Sequence, residues 1–142
     1  MKRVVALLLL TSGLAQAAPE GSVLYAQHCA TCHQADGSGT VGLAPSLKGE
    51  HWARLGADRS YMAGVLQHGL SGPIMVNGQR FIGSMPAFAG QLDDAQLAAV
   101  ATHVMSLQGR PGEAYTAAEL KAARDAGGSP PQSRERRTQL LK

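Results

Sequence analysis

Three segments with apolar residues at helical spacing, long Gly- and Pro-rich connections between them, and the lack of any convincing strand pattern predict an all-α protein. The expected architecture is one small domain of three main helices and wrapping loops, followed by a short C-terminal helical extension. The 142 residues divide accordingly into an N-terminal segment 1–17, a domain over 18–109 and an extension over 110–142.

Residues 1–17 have the pattern of an export signal. Lys2 and Arg3 supply a charged start, Val4 to Leu10 an unbroken apolar run, and Ala15-Gln16-Ala17 the small residues of a cleavage site. The mature chain is expected to begin at Ala18. The apolar run is too short to span a bilayer as a helix, and no later stretch reads as transmembrane.

The first helix is expected from about Ser22 into Cys29–Cys32, with Val23, Leu24 and Tyr25 near its start. The second covers about Asp58 to His68. Asp58 or Ser60 can cap it, Gly69 stops it, and Tyr61, Val65 and Leu66 form its inner face. The third is the clearest: Asp93 caps it, Gln96 completes a capping box, and Gly109 follows its end. Leu97, Val100, Ala101, Val104 and Leu107 define its apolar face. The connections from Asp36 to Gly49 and from Gly69 to Gly90 are long for a compact domain, which points to a functional role.

In the extension, Arg110-Pro111-Gly112 reads as a linker. Thr116 and Glu119 form a capping box with Tyr115 and Leu120 as a hydrophobic staple. They predict a short helix to about Ala126, ended by Gly127-Gly128. Ser129-Pro130-Pro131 is expected to break the chain before a frayed, solvated basic end from Arg134 to Lys142.

The formal charge of +3 is unevenly placed. From Ala18 to Gly109 four basic residues (Lys48, Arg54, Arg59, Arg80) face six acidic ones, whereas seven basic residues face four acidic ones beyond. A domain without a basic patch argues against nucleic-acid binding. It is also poor in aromatics, with Tyr25, Trp52, Tyr61, Phe81 and Phe88 alone. A domain of this size has limited capacity to bury surface unaided, so a large apolar cofactor would complete its core.

Cys29-Ala30-Thr31-Cys32-His33 identifies that cofactor, because C-x-x-C-H is the attachment spacing of haem c. Two thiols one helical turn apart can add across the two vinyl groups of one porphyrin, and the following histidine can bind the iron. The motif occurs once and uses both cysteines, so one covalent haem per chain is expected. A zinc site would need distant partners from His28, His51, His68 and His103, none at ligand-pair spacing. A thioredoxin-like pair lacks a strand–helix–strand context. A disulfide closing so small a loop would stabilise little.

Gly83-Ser84-Met85-Pro86-Ala87-Phe88 offers the sixth ligand. Met85 lies in a loop before the third helix, between residues that restrict the backbone, and a thioether raises the potential of a His-ligated haem. Met62, Met75 and Met105 are its rivals. Met62 and Met105 fall within helices as packing residues, so Met75 competes most directly. Bis-His ligation would draw on His51, His68 or His103. His68 better complements the C-terminus of its helix, and His103 lies off an apolar face.

Taken together, these residues resemble the bacterial class I monohaem cytochromes c. The resemblance rests on Cys29 to His33, Leu43-Ala44-Pro45, Gly83 to Phe88 and the closing helix, and it covers about Gly21 to Gln108. The stretch His68-Gly69-Leu70-Ser71-Gly72-Pro73-Ile74, with Asn77-Gly78, is similar to cytochromes that serve periplasmic oxidoreductases. The resemblance implies a class I cytochrome c fold in which the first and last helices cross beside the haem. It also implies that the Pro45 carbonyl accepts a hydrogen bond from the second nitrogen of His33, and that Trp52 packs in the core or near a propionate. Mitochondrial relatives dock through a ring of lysines, but this domain has only Lys48, so an apolar partner surface is expected.

The function expected is one-electron transfer in the periplasm, with Cys29 and Cys32 tethering the haem, His33 and Met85 binding its iron, and redox proteins as partners. No nucleophile, general base or oxyanion arrangement suggests catalysis. The alternatives are a tightly bound relay subunit of a dehydrogenase or of a sulfite- or nitrite-type oxidoreductase, and a peroxidase or gas sensor with an open sixth position.

Overall fold

The computed structural model describes residues 20–142. The export signal expected over 1–17 lies outside the described residues.

Helix α1 (Gly21–His28) and the single turn α2 (Ala30–His33) form one bent rod, interrupted at Cys29. α1 crosses the long helix α5 (Asp94–Leu107) at Gly21. A Cβ there would stand 2.0 Å from the Ala99 carbonyl oxygen, so only glycine lets the two backbones approach this closely. One turn on, the Tyr25 ring packs 5.1 Å from the His103 ring, and its hydroxyl donates to the Gln34 carbonyl at 2.8 Å. α5 begins as expected, with Asp93 and Gln96 in a reciprocal capping box. Its buried residues include Leu97, Val100, Ala101 and Val104, and Leu107 packs at the margin.

Helix α4 (Arg59–His68) is capped by Asp58, whose side chain accepts from the Ser60 amide. Tyr61 and Leu66 are buried as expected, Val65 packs against the core cluster, and Met62, Ala63 and Gln67 are buried too. α4 ends at Gly69, which has φ +79 and lies against the Met85 backbone; a Cβ would come within 2.6 Å of the Met85 oxygen. The stop signal of the helix is therefore also the place where the Met85 segment closes on it.

The structure adds two features, one in the stretch between Gly49 and Asp58 that the sequence left unassigned and one within the second connection. Residues His51–Leu55 form a five-residue helix, α3, which has no side-chain cap and is held by burial of Trp52 and Leu55. The segment 69–90, expected to lack strands, holds two short antiparallel ribbons. β1 (Leu70–Ser71) pairs with β4 (Ser84–Met85), Leu70 opposite Met85. β2 (Ile74–Val76) pairs with β3 (Gln79–Phe81) across Asn77-Gly78. Both turn residues have positive φ, 49° and 79°, as a two-residue hairpin requires. The strands are two or three residues long, too short for alternation to register.

The extension is part of the same body. α6 (Ala117–Ala126) has the expected Thr116–Glu119 capping box, and Tyr115 and Leu120 are buried. The buried Gln67 amide ties three helices together by donating to the Leu120 carbonyl and to Asp94 Oδ1, each at 2.9 Å. Arg59 bonds Glu119, with Nη2–Oε2 at 3.0 Å, and its guanidinium stacks 4.0 Å above the Tyr115 ring. The expected frayed end is instead a further helix, α7 (Pro130–Leu140). Its two prolines open the helix rather than break the chain, because the first turn has no amide hydrogen bond to lose. Arginines fasten it. Arg134 donates to the Gly72 carbonyl at 2.7 Å, Arg137 to the Met75 carbonyl at 3.0 Å, and Arg136 pairs with Asp58.

Leu120→Ala should lower stability by about 2–5 kcal/mol, read as a lower urea midpoint with an unchanged slope. A loss below about 1 kcal/mol would show α6 to be an appendage outside the cooperative core. The Arg59 hydrogen bond is the main cause that holds the Glu119 carboxyl at about 2, well below its ordinary 4.5. A depressed carboxyl contributes stability that is present above the unfolded value and is lost as pH falls towards the folded one. Glu119→Gln should therefore flatten the acid-unfolding profile between about pH 4.5 and 2. An unchanged profile would mean that the pair contributes nothing.

Candidate haem site

The α1–α2 rod carries the three motif residues to one wall of an elongated cavity. Cys29 is buried and Cys32 exposed, and both thiols are free. Burial first, then the neighbouring Cys32, pushes the Cys29 thiol up to about 11. His33 is also buried. Its Nδ1 lies 2.9 Å from the Pro45 carbonyl oxygen. A carbonyl has no proton to give, so Nδ1 is the donor, and in the neutral ring Nε2 keeps a free lone pair. Burial lowers the His33 pKa and the Pro45 hydrogen bond partly offsets it, a net shift that favours the neutral form able to bind a metal.

Pro45 is brought back under His33 by a tight local fold. The Gly39 amide donates to the His33 carbonyl at 2.9 Å, Thr40 and Ala44 bond each other in both directions, and the Leu47 amide reaches the Gly37 carbonyl at 2.8 Å. Met85 comes from the opposite part of the chain, on β4 against β1 rather than in the free loop expected. The ribbon pairing sets its position more tightly than Gly83 and Pro86 alone could.

The cavity has two connected parts. The inner part is bordered by Tyr61, Met62, Val100 and Val104, all buried. The outer part is bordered by Cys32, Leu43, Phe88 and Gln91, all exposed except Phe88. Cys29, His33, Pro45, Leu70, Ile74 and Met85 border both. Cofactor sites are typically mostly apolar with a few placed polar groups, so the lining suits a porphyrin. The donor set fits as well: two thiols, an imidazole with one nitrogen committed, and a thioether.

The rival ligands are distributed differently. Met75 is 56% exposed on β2 and borders neither part, Met105 lies on α5 away from both, and Met62 shares the inner wall. His68 Nε2 is 2.9 Å from the Ala123 carbonyl, which ties α4 to α6. His103 packs on Tyr25, and His28 stands edge-on to Phe88 at 6.4 Å. Of the histidines considered for bis-His ligation, His51 alone borders the inner cavity, beside Trp52. Among the described residues no cluster of three or more His, Cys, Asp or Glu side chains could hold a metal ion.

One residue at this cavity escaped the sequence reading. Arg137, assigned to a solvated tail, is 5% exposed and borders the inner part. The signal available was its spacing from Arg134 and Leu140 on one helical face, which a search for apolar periodicity passes over.

Comparison with known proteins shows the family of the chain. Residues 16–104 match the family model described as cytochrome c oxidase, cbb3-type, subunit III. Cytochrome c-552 of Thermus thermophilus is 41% identical over 132 residues, 87% of each chain. Cytochrome c6 of a Picosynechococcus species is 34% identical over 66% of this chain and 76% of its own. The cbb3-type cytochrome c oxidase subunit FixP of Azorhizobium caulinodans is 34% identical over 78% of this chain, which spans only 37% of that protein. With Cys29 and Cys32 at the attachment spacing on a small helical fold, the chain belongs to the class I monohaem c-type cytochromes: an electron-transfer protein carrying covalent haem c.

Proposed function

We infer that this cytochrome is a periplasmic one-electron carrier whose haem iron is held between His33 and Met85. The observation that carries the reading is the commitment of His33 Nδ1 to the Pro45 carbonyl, on a side chain that shares both parts of the cavity with Met85. Bound haem c supplies a one-electron iron couple. Pro45 fixes the tautomer of His33 and raises its basicity. The Met85 thioether, a soft neutral donor, favours the reduced state and raises the potential. Leu66, Val100 and Val104 keep water from the inner cavity, while Leu43, Gln91 and Cys32 leave the outer edge open for electron exchange.

Export is inferred from the charged start, apolar run and small residues of 1–17. No helix among the described residues is long and apolar enough to cross a membrane. A partner is expected to meet the open edge through a small, transient contact. Val41, Leu43 and Ile82 are exposed near that edge, and the domain's one lysine, Lys48, is paired with Asp36. An apolar contact therefore fits better than a ring of positive charge.

The optical spectrum tests the ligation. The oxidised protein should show a weak red-end sulfur-to-iron band, and the reduced protein should ignore carbon monoxide. Met85→Ala should abolish the band and admit carbon monoxide, while Met62→Leu leaves both unchanged. Ready carbon monoxide binding by the unaltered protein would overturn the reading and move ligand sensing or peroxide chemistry forward.

A second reading, a relay subunit of a larger oxidoreductase, is favoured by the cbb3-type subunit III match. The extension, the natural docking element for such a role, is instead packed on the protein's own β1, α3 and α4. Size-exclusion of native periplasmic extract separates the two. A small haem species is expected, and co-elution with a large enzyme would replace the carrier by the subunit.

A further inference from the structure

Met85 stands on a segment that side-chain burial scarcely holds. Its neighbours Gly83, Ser84, Pro86 and Ala87 are all exposed, so backbone contacts set where the thioether lies. On the C-terminal side the Phe88 amide donates to the Leu66 carbonyl at 2.9 Å, and Phe88 itself is buried. On the N-terminal side the support is the β1–β4 ribbon, with two residues in each strand, and a lone pair of strands is marginal by itself. The ribbon has one further rung, the Gly72 amide donating to the Gly83 carbonyl at 2.8 Å. Gly72 lies hard against the chain leading into β4, where a Cβ would stand 2.6 Å from the Phe81 oxygen.

That last rung is held from outside. The Gly72 carbonyl accepts from Arg134 Nη1 at 2.7 Å, a hydrogen bond of the stronger, charge-assisted kind. Among the described residues Arg134 forms no ion pair, and it borders neither part of the cavity. Its guanidinium is directed at this backbone rather than at an acid or the cofactor.

We propose that Arg134 is a positioning residue for Met85: by holding Gly72 it secures Gly83, and through the ribbon it keeps the thioether at the sixth position of the iron. This role rests on the His33/Met85 reading and gives helix α7 a part in it. A thioether is neutral, so no charge attraction retains it at the iron once its backbone moves. Gly83 and Ser84 already face solvent, and without the rung Met85 can swing out with them. Other contacts keep α7 in place when this one is removed. Arg136 pairs with Asp58 at the start of α4, and Arg54 donates to the Leu141 carbonyl at 2.8 Å. The effect of Arg134 is thereby separable from that of the extension as a whole.

The test uses the full-length, haem-loaded protein. It reads how fast excess carbon monoxide displaces the ligand of the reduced iron, and at what urea concentration the oxidised form loses its sulfur-to-iron band. Arg134→Met should speed the displacement about tenfold, and the band should vanish at lower urea, ahead of global unfolding. Arg134→Lys, which keeps a charged donor, should restore most of both. Arg134→Gln, with a shorter neutral donor, should give a smaller change in the same direction, and it carries the test if Arg134→Met fails to fold. Arg136→Gln, which loosens α7 at Asp58 without touching the ribbon, should lower the global midpoint and leave the displacement rate unchanged. A purely structural Arg134 would move the global midpoint alone, so an unchanged rate and a band lost only with the fold, in Arg134→Met and Arg134→Gln, overturn the positioning role. An equal gain in rate in Arg136→Gln also overturns it, by assigning the effect to the extension at large. Ready carbon monoxide binding by the unaltered protein, with no band, overturns the Met85 ligation itself and the positioning role with it.

Discussion

The close crossing of α1 and α5 at Gly21 is the constraint from which the rest of the molecule is built. With no side chain at Gly21, the α1 backbone settles against the Ala99 carbonyl, and this contact aims the rod ending in Cys29, Cys32 and His33. The same helix α5 turns Val100 and Val104 to the cavity and offers its other surface to α6. A larger residue at the crossing would separate the helices and misplace the attachment wall and the cavity wall together.

The site is held by backbone groups more than by side-chain pairs. His33 is oriented by a carbonyl, Met85 by the β1–β4 pairing, and the Met85 segment by its contact with Gly69. Such groups have few rotamers and little freedom to move, which suits a site that must hold a cofactor in one position while it exchanges electrons. The walls are apolar, so the few polar groups that face the cavity are the ones able to influence the cofactor.

The extension changes how the protein's charge should be read. The tail carries the positive excess, yet its arginines are spent on the body of the protein: Arg124 on Asp94, Arg134 on Gly72, Arg136 on Asp58 and Arg137 on Met75. These contacts spread the extension across α4, α5 and the ribbons. A basic segment with the composition of a free tail is thus mostly an internal fastening.

Local rules were enough for much of this. The capping boxes of α5 and α6, the Asp58 cap of α4 and the Gly69 stop depend on residues within four positions of each other, and all of them stand where the sequence placed them. The C-x-x-C-H spacing likewise names the cofactor without reference to any other part of the chain. The resemblance to class I cytochromes c led to Pro45, whose carbonyl lies 2.9 Å from a nitrogen of His33. What only the tertiary structure decided depends on distant partners. α3 has no cap and forms because Trp52 and Leu55 are buried by other segments, and the ribbons are too short to show a period even though Asn77-Gly78 marks their turn. α7 has no apolar stripe, since its inward face is built from arginines that reach carbonyls 62 positions away. A sequence displays the chemistry of neighbours, whereas the burial of Arg137 exists only once strands, helices and extension enclose the same space.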